Sequence, residues 1–359
     1  MSQLAELHSA EGARTTADGM VLITYGDVPA EYTAGRESAL LLDRTDDTAV
    51  RVTGSEAEAF LHRILASTVK GLEPGRTVRN LLLSAKGKIL HSMELEREAE
   101  GFRLVTEAGR AGELIQALDM YLFSEDVQLV DDSAQSAPLV LTGPAAGPLL
   151  AQLFGGDLPG PGEHRSASLA GHPVRMAQRP FAAMPAFWLD AGPRAAELWR
   201  ALTAAGAVPG GVAALDSLRV EAGGALWGRD VDDNVYPQEA RWDDAFSLDK
   251  GCYIGQEVVA KIDTYGGLNK LLMGLRLDSD DPVAPGTRLF KDDGGEWRDL
   301  GVVTTWAYSF ALDGGMALGY IKRKHQEIGT RFRVGDGPQT ATLVEFPRGC
   351  AEPGQSSPP

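Results

Sequence analysis

Val50-Arg51-Val52-Thr53-Gly54 has an echo in Leu139-Val140-Leu141-Thr142-Gly143, about 90 residues further on, and the pair sets the architecture. Each copy reads as a strand that ends in a Thr-Gly turn and leads into an amphipathic helix. In the first copy Phe60, Leu61, Ile64 and Leu65 recur at helical spacing, and Ser55 with Glu58 has the form of a capping box. Working outward, Val78 to Leu83, the turn Ser84-Ala85-Lys86-Gly87 and a strand from Lys88 to Leu95 make a hairpin. Its alternation puts His91 on the apolar face with Ile89, Met93 and Leu95. A strand at Phe102 to Val105, a helix carrying Leu114, Ile115, Leu118, Tyr121 and Leu122, and a strand near Val127 to Val130 complete a ferredoxin-like order. The second copy continues through Leu149, Leu150, Leu153 and Phe154, strands near Ser166 to Met176 and Phe187 to Leu189, and a helix at Ala195 to Ala205. Ala213 to Val220 reads as a further helix. Two such halves side by side would leave a cleft, the ordinary place for a ligand.

Past Gly267 the pattern changes to short β-type runs at Leu271 to Leu277, Thr287 to Phe290, Leu300 to Trp306, Ala317 to Ile321, Phe332 to Val334 and Ala341 to Phe346. Asp/Gly-rich turns separate them, which predicts a small β-barrel. The fold class expected is therefore α+β: two ferredoxin-like α/β-sandwich domains plus a C-terminal β-barrel. The Ser/Pro/Gly-rich end of the chain, residues 349–359, is expected to be a disordered tail.

Composition excludes several function classes. With 34 basic against 50 acidic residues the net charge is −16, which opposes a phosphate backbone, so no direct nucleic-acid partner is expected. No apolar run is long enough for a membrane span. Glu6 and His8 stand where a signal peptide needs a basic start and an apolar core, so a cytoplasmic location is expected. Of the two cysteines, Cys252 and Cys350, neither belongs to a C-x-x-C pair, and a cytoplasmic setting argues against a disulfide between them. The six histidines form no ligating cluster, so no stable metal is expected. Asp230, Asp232 and Asn234 imitate the start of a calcium loop, but Val235 and Arg241 occupy its glycine and glutamate positions; a solvated acidic loop is expected instead.

The chemistry concentrates in Lys250-Gly251-Cys252-Tyr253-Ile254-Gly255-Gln256-Glu257. A thiol between two glycines is free to approach a ligand, and a nearby ammonium favours its thiolate, the form that attacks electrophiles and binds metals. In an extended segment Lys250 and Cys252 share a face. Cys252 and Lys250 are the candidate reactive pair; Gly251, Tyr253, Gly255, Gln256 and Glu257 shape the loop, the last two by hydrogen bonds. The alternative is a buried, structural cysteine.

The whole KGCYIGQE string, followed by Val258, Ala260, Lys261, Gly266-Gly267 and Lys270, resembles the signature of the YgfZ-type proteins. These are folate-binding iron-sulfur maintenance proteins, a branch of the glycine-cleavage T-protein (aminomethyltransferase) superfamily. Ala39 to Asp43, Val52-Thr53-Gly54 with Ala57, Ala59, Phe60 and Leu61, Leu81 to Leu90, and Ala214 to Gly223 continued by Leu226-Trp227-Gly228 and Asp230 are similar to that superfamily in turn. The resemblance implies a folate-binding domain from residues 1–47 plus 135–265, a second ferredoxin-like domain over 48–134 and a barrel over 266–348. It also implies tetrahydrofolate or a related folate as ligand and iron-sulfur client or assembly proteins as partners. Arg219, Glu221 and His91 are candidate folate contacts in the cleft; the alternatives are a salt-bridged helix surface for Arg219 and Glu221 and a hydrogen-bonded core histidine for His91.

Two departures from the transferase pattern matter. The G-G-I-x-D-D strand of the transferases reads Gly87-Lys88-Ile89-Leu90-His91-Ser92 here, and Arg179-Pro180-Phe181-Ala182-Ala183-Met184 replaces G-Y-T-G-E. A mostly neutral histidine cannot supply the fixed negative charge that a developing iminium or ammonium needs. These departures argue against aminomethyl transfer, and the resemblance implies a protein of iron-sulfur cluster assembly, repair or maintenance that is not a conventional enzyme and acts through Cys252, with indirect effects on cluster enzymes including tRNA-modifying ones. The alternatives are a tetrahydrofolate-dependent aminomethyltransferase or demethylase using another acid, and a non-catalytic interaction module.

Overall fold

The computed structural model describes residues 3–17, 21–292 and 296–347, so Cys350 and the tail at 349–359 lie outside the described residues. The chain forms two compact units. The first comprises Met1–Pro180, Pro185–Val212 and Trp242–Tyr265; the second comprises Phe181–Met184, Ala213–Arg241 and Gly266–Pro359.

The first unit opens with α1 (Gln3–Ala10), a small hairpin of β1 (Arg14–Thr15) and β2 (Leu22–Thr24), α2 (Val28–Glu37) and β3 (Leu40–Asp43). Then come β4 (Thr48–Thr53), α3 (Ala57–Ile64), β5 (Thr77–Leu83), β6 (Ile89–Arg97), β7 (Phe102–Thr106), α4 (Ala111–Asp119) and β8 (Gln128–Asp131). These five strands form one antiparallel sheet in the order β5-β6-β7-β4-β8. Leaving aside the edge strand β5, this is the β-α-β-β-α-β arrangement. The apolar stripe of α3 (Phe60, Leu61, Ile64) and that of α4 (Leu114, Leu118) bury against Val50, Val52, Leu82, Leu95 and Leu104 of the sheet.

The second half repeats the plan with β9 (Pro138–Thr142), α5 (Ala146–Phe154), β10 (Glu163–Leu169), β11 (His172–Gln178), β12 (Ala186–Asp190), α6 (Ala195–Ala204) and β13 (Val208–Gly210). Its sheet runs β10-β11-β12-β9-β3-β13. The strand order matches the first half except that β3 enters between β9 and β13, antiparallel to the former and parallel to the latter. Leu41, Leu141, Leu189, Trp199 and Leu202 build its core. The last helix of the unit is α8 (Gln256–Tyr265).

The second unit contains all of α7 (Val212–Ala222) but its first residue, and a closed barrel. The barrel strands are β14 (Lys270–Leu277), β15 (Arg288–Asp292), β16 (Trp297–Ser309), β17 (Gly314–Lys322), β18 (Arg331–Val334) and β19 (Thr340–Val344). They close in the order β14-β17-β16-β15-β18-β19. Leu275, Leu289, Val303, Ile321, Phe332 and Leu343 fill the interior. No helix among the described residues is long and apolar enough to cross a membrane.

Two sequence expectations need correction. Ser55 and Glu58 do not form a capping box: α3 begins after Glu56, which makes no side-chain cap bond. Ser55 bonds Asp126 through both its backbone N–H and its hydroxyl, while Glu58 accepts from the N–H of Gly71. A long-range carboxylate thus outcompetes the local cap. Asp230 is not part of a solvated loop but a buried partner of Arg219, described below.

Candidate functional site

The KGCYIGQE segment lies in the first unit as a short irregular loop that runs into α8, and its sulfur reaches solvent: Cys252 is a free, exposed cysteine. Lys250 anchors the loop. Its ammonium donates to the carbonyl oxygens of Leu65 at 2.5 Å and Ser67 at 2.7 Å, and stands 5.4 Å from the centre of the Tyr253 ring. Burial pulls that ammonium down to about 8. The carbonyl of Lys250 lies 3.2 Å from His62 Nε2. The lysine is therefore committed to the backbone after α3 rather than to the Cys252 thiol.

The far end of the loop is clamped differently. Gly255 has φ +81°, and a Cβ there would lie 2.5 Å from the carbonyl oxygen of Ser84 and 3.0 Å from Gly87 Cα, so the loop presses against the hairpin turn before β6. Gly251 also has positive φ, +95°, but faces open space. Tyr253 is buried, which pushes its hydroxyl up to about 12. Ile254 packs on the core of the first half. Gln256 starts α8 with its N–H bonded to the carbonyl of Tyr253. Glu257, expected to brace the loop, is instead exposed and paired with Lys261 one helical turn on, at 2.5 Å.

The two halves of the first unit meet at a narrow cleft lined by Glu96, Arg103, Val105, Pro138, Arg175, Ala177, Arg179, Trp188 and Asp190, with room for little more than a water molecule. Buried ion pairs stitch its walls: Arg103 donates to Asp190 and to the Ser136 hydroxyl, both at 2.6 Å, and Glu96 accepts from Arg175 at 3.1 Å. Sequence reasoning named none of these residues as functional, because their partners come from strands far apart in the chain.

A second unforeseen group is Glu107. Its carboxyl accepts from the Ser92 hydroxyl, in the strand position where the transferases carry a carboxylate, and from Thr106 Oγ1 at 2.9 Å. Burial raises its pKa above the usual glutamate range. Its charge reaches Arg79, whose guanidinium lies 4.0 Å from the centre of the Trp242 ring and 3.6 Å from Asp244.

The three residues named as folate contacts all lie inside. His91 is 6% exposed, and burial, with Arg110 beside it at 3.3 Å from Nδ1, pulls it down to about 4. Arg219 is 0% exposed; it donates to Asp216 at 2.7 Å, to Gly224 O at 3.0 Å, to Asp230 at 2.6 Å and to Thr305 Oγ1 at 2.9 Å. Glu221, equally buried, accepts from Ser309 Oγ at 2.8 Å and from the N–H of Ala311 at 2.9 Å. Arg219 and Glu221 thus tie α7 to the barrel within the second unit, an arrangement in which both charges are held by protein groups. No set of three or more His, Cys, Asp or Glu among the described residues is arranged to hold a metal ion.

Comparison with known proteins agrees with this architecture. Residues 8–250 match the GCVT N-terminal domain and residues 270–347 the glycine cleavage T-protein C-terminal barrel domain. The chain is similar to an aminomethyltransferase of Rubrobacter xylanophilus, 30% identical over 350 residues that cover 96% of this chain and 92% of the relative. It is also similar to a chloroplastic protein of Arabidopsis thaliana whose name provisionally calls it a transferase, 27% identical over 332 residues, 91% of this chain and 75% of that one. The crystal structure of the glycine cleavage system aminomethyltransferase T from Bartonella henselae matches with a TM-score of 0.83 at 26% identity, covering 96% of each chain. With its duplicated α/β halves, its closed six-stranded barrel and matches over nearly its whole length, the chain belongs to the glycine cleavage T-protein family.

Proposed function

We propose that this chain is a YgfZ-type member of the family, a folate-binding protein that acts in the assembly, repair or maintenance of iron-sulfur clusters through Cys252. It works on client or assembly proteins in the cytoplasm and reaches cluster-dependent enzymes, tRNA-modifying ones included, indirectly. The observation that carries this reading is an exposed sulfur on a loop fixed at both ends, by Lys250 on the Leu65 and Ser67 carbonyls and by Gly255 against Ser84. A fixed loop presents the sulfur to a partner without the entropy cost of ordering it on contact. With no C-x-x-C pair in the chain, Cys252 suits transient ligation, with the remaining cluster ligands supplied by the client. In this role Lys250 positions the loop. The folate part of the reading rests on family membership, and Arg219 and Glu221 serve it by fixing α7 on the barrel rather than by touching the ligand. The exposed sulfur speaks against the structural-cysteine alternative. Cells lacking the protein, supplied with wild type or Cys252→Ala, are the test: the alanine variant is expected to leave cluster-enzyme activity at the null level. Full restoration by it sinks the reading.

A second reading, a tetrahydrofolate-dependent aminomethyltransferase or demethylase, is favoured by one observation. Glu107 places a carboxyl of raised pKa on Ser92, close to where the family's transferase carboxylate is missing. A carboxyl held in this way can act as a general acid or base. Turnover of an aminomethyl or methyl donor with tetrahydrofolate that falls at least tenfold in Glu107→Gln is what this reading requires; no turnover in wild type removes it.

A further inference from the structure

On the reading of Cys252 as the working group, we propose that His62 is the positioning residue of its loop, held in one neutral tautomer that joins the exit of α3 to the Lys250 carbonyl. Residues 65–71, which follow α3, belong to no helix or named strand, so their backbone groups depend on partners from elsewhere. Glu58 and His62, one turn apart on α3, supply acceptors. Glu58 takes the N–H of Gly71 at 3.1 Å, and His62 Nδ1 takes those of Val69 and Lys70, both at 3.2 Å. Lys250 supplies the donor, its ammonium bonded to the carbonyls of Leu65 and Ser67.

The two amides decide the tautomer of His62. A backbone N–H can only donate, so Nδ1 presents its lone pair and the ring proton sits on Nε2. Nε2 lies 3.2 Å from the Lys250 carbonyl oxygen and therefore donates to it. Lys250 is thus gripped twice by the same stretch of chain, through its ammonium and through its carbonyl. The two grips are not equivalent. An ammonium on a four-carbon stem stays bonded while the backbone behind it moves, whereas a bond to the carbonyl fixes the main chain itself, two residues from the sulfur. Gly251, the next residue, would place a Cβ in open space and so adds no packing there.

A second ring proton would have to go to Nδ1, where it meets two amide hydrogens. The charged groups that face His62 are the ammoniums of Lys250 and Lys70 and the carboxylate of Glu58. Burial, and then the Lys250 charge, hold the imidazole below its ordinary value of 6.5. The grip on the carbonyl is accordingly complete above pH 6.5 and is lost as the pH falls through the lowered folded value.

The full chain with Cys350→Ser and a nitroxide on Cys252 tests this by electron spin resonance, with ¹⁵N NMR of the imidazoles alongside. Near neutral pH the His62 ring is expected as the Nε2–H tautomer and the label as slow. Acidification should shorten the label's correlation time by about threefold, with the midpoint of the His62 titration. His62→Asn puts an amide oxygen where Nδ1 stood, keeping an acceptor for Val69 and Lys70, and has no atom in the place of Nε2. Its label should be mobile, by the same factor, at every pH. A proton on Nδ1 near neutral pH, or a label in folded His62→Asn as slow as in wild type, overturns the proposal. Should that variant not fold, a wild-type line shape that ignores the His62 titration overturns it instead. No cluster takes part in these readouts, so His62 can prove idle while Cys252 still works, and a failure of the Cys252→Ala complementation test leaves them unchanged.

Discussion

Replacing Gly255 by alanine, with Gly251→Ala as its partner experiment, tests whether the cysteine loop is clamped to the hairpin turn before β6. Both glycines have positive φ, +81° and +95°, so each alanine carries the left-handed penalty of about 1–2 kcal/mol. Only Gly255 meets matter. Its added Cβ falls 2.5 Å from the Ser84 carbonyl oxygen and 3.2 Å from the Gly87 nitrogen, backbone atoms that cannot swing aside. Overpacking of that kind adds about 1–3 kcal/mol. The expectation is therefore about 1–2 kcal/mol for Gly251→Ala and about 2–5 kcal/mol for Gly255→Ala. Urea denaturation, read as a shift in midpoint at unchanged slope, measures both. Strain at Gly255 can also be relieved by lifting the loop off the turn, which would appear as faster proteolysis between residues 250 and 256 in the native protein. If Gly255→Ala is no more costly than Gly251→Ala and the loop resists protease equally in both, the clamp is not there, and the fixed thiol of the proposed function loses its support.

Arg219→Met should cost about 3–5 kcal/mol, because Asp230 is left buried without its partner. Pairing it with Asp230→Leu should recover much of the loss; a double-mutant cycle in urea checks this, and a single-variant cost below about 1 kcal/mol refutes it. His91 makes stability depend on pH. Its folded pKa of about 4 lies below the unfolded 6.5, so the unfolded chain binds the extra proton between those values. Stability from this group is full above pH 6.5 and falls as pH drops toward 4, by about 3 kcal/mol at most. His91→Leu should flatten that part of a stability-pH curve measured from pH 4 to 7; an unchanged slope would show that other groups carry it.

Sequence legibility followed the range of the interactions involved. The barrel strands could be read because they are short β-type runs bounded by turn residues, Leu271 to Leu277 among them. The helices α3 and α4 followed from their apolar spacing. Gly255 was read as shaping the loop for approach to a ligand, whereas what it approaches is the backbone carbonyl of Ser84. What failed to show depended on partners far along the chain. Ser55 looked like a cap because Asp126, 71 residues away, is invisible to local pattern. Asp230 looked like a solvated acid beside Asp232 and Asn234, yet its partners are Arg219 and Thr305, the latter 75 residues on. Lys250 was read toward Cys252 two residues away, whereas its ammonium reaches back 185 residues to Leu65. The cleft between the two halves was beyond reach for the same reason, since Glu96, Arg103, Arg175 and Asp190 converge on it only once two sheets have formed.

The position of β3 has a consequence for how the chain is made. Leu42 pairs with Val140 on one side and with Gly210 on the other, so the strand emerges from the ribosome long before either neighbour exists. Meanwhile the segment from β4 to β8 carries every strand of its own sheet and can collapse during synthesis. The early strand must wait, its backbone unsatisfied, while the intervening module matures. Its sequence, Leu40-Leu41-Leu42, is a sticky one to leave unattended. Vectorial translation therefore puts the vulnerable interval of this protein's biogenesis at β3, between its own synthesis and that of β9, where a holdase chaperone would be most useful.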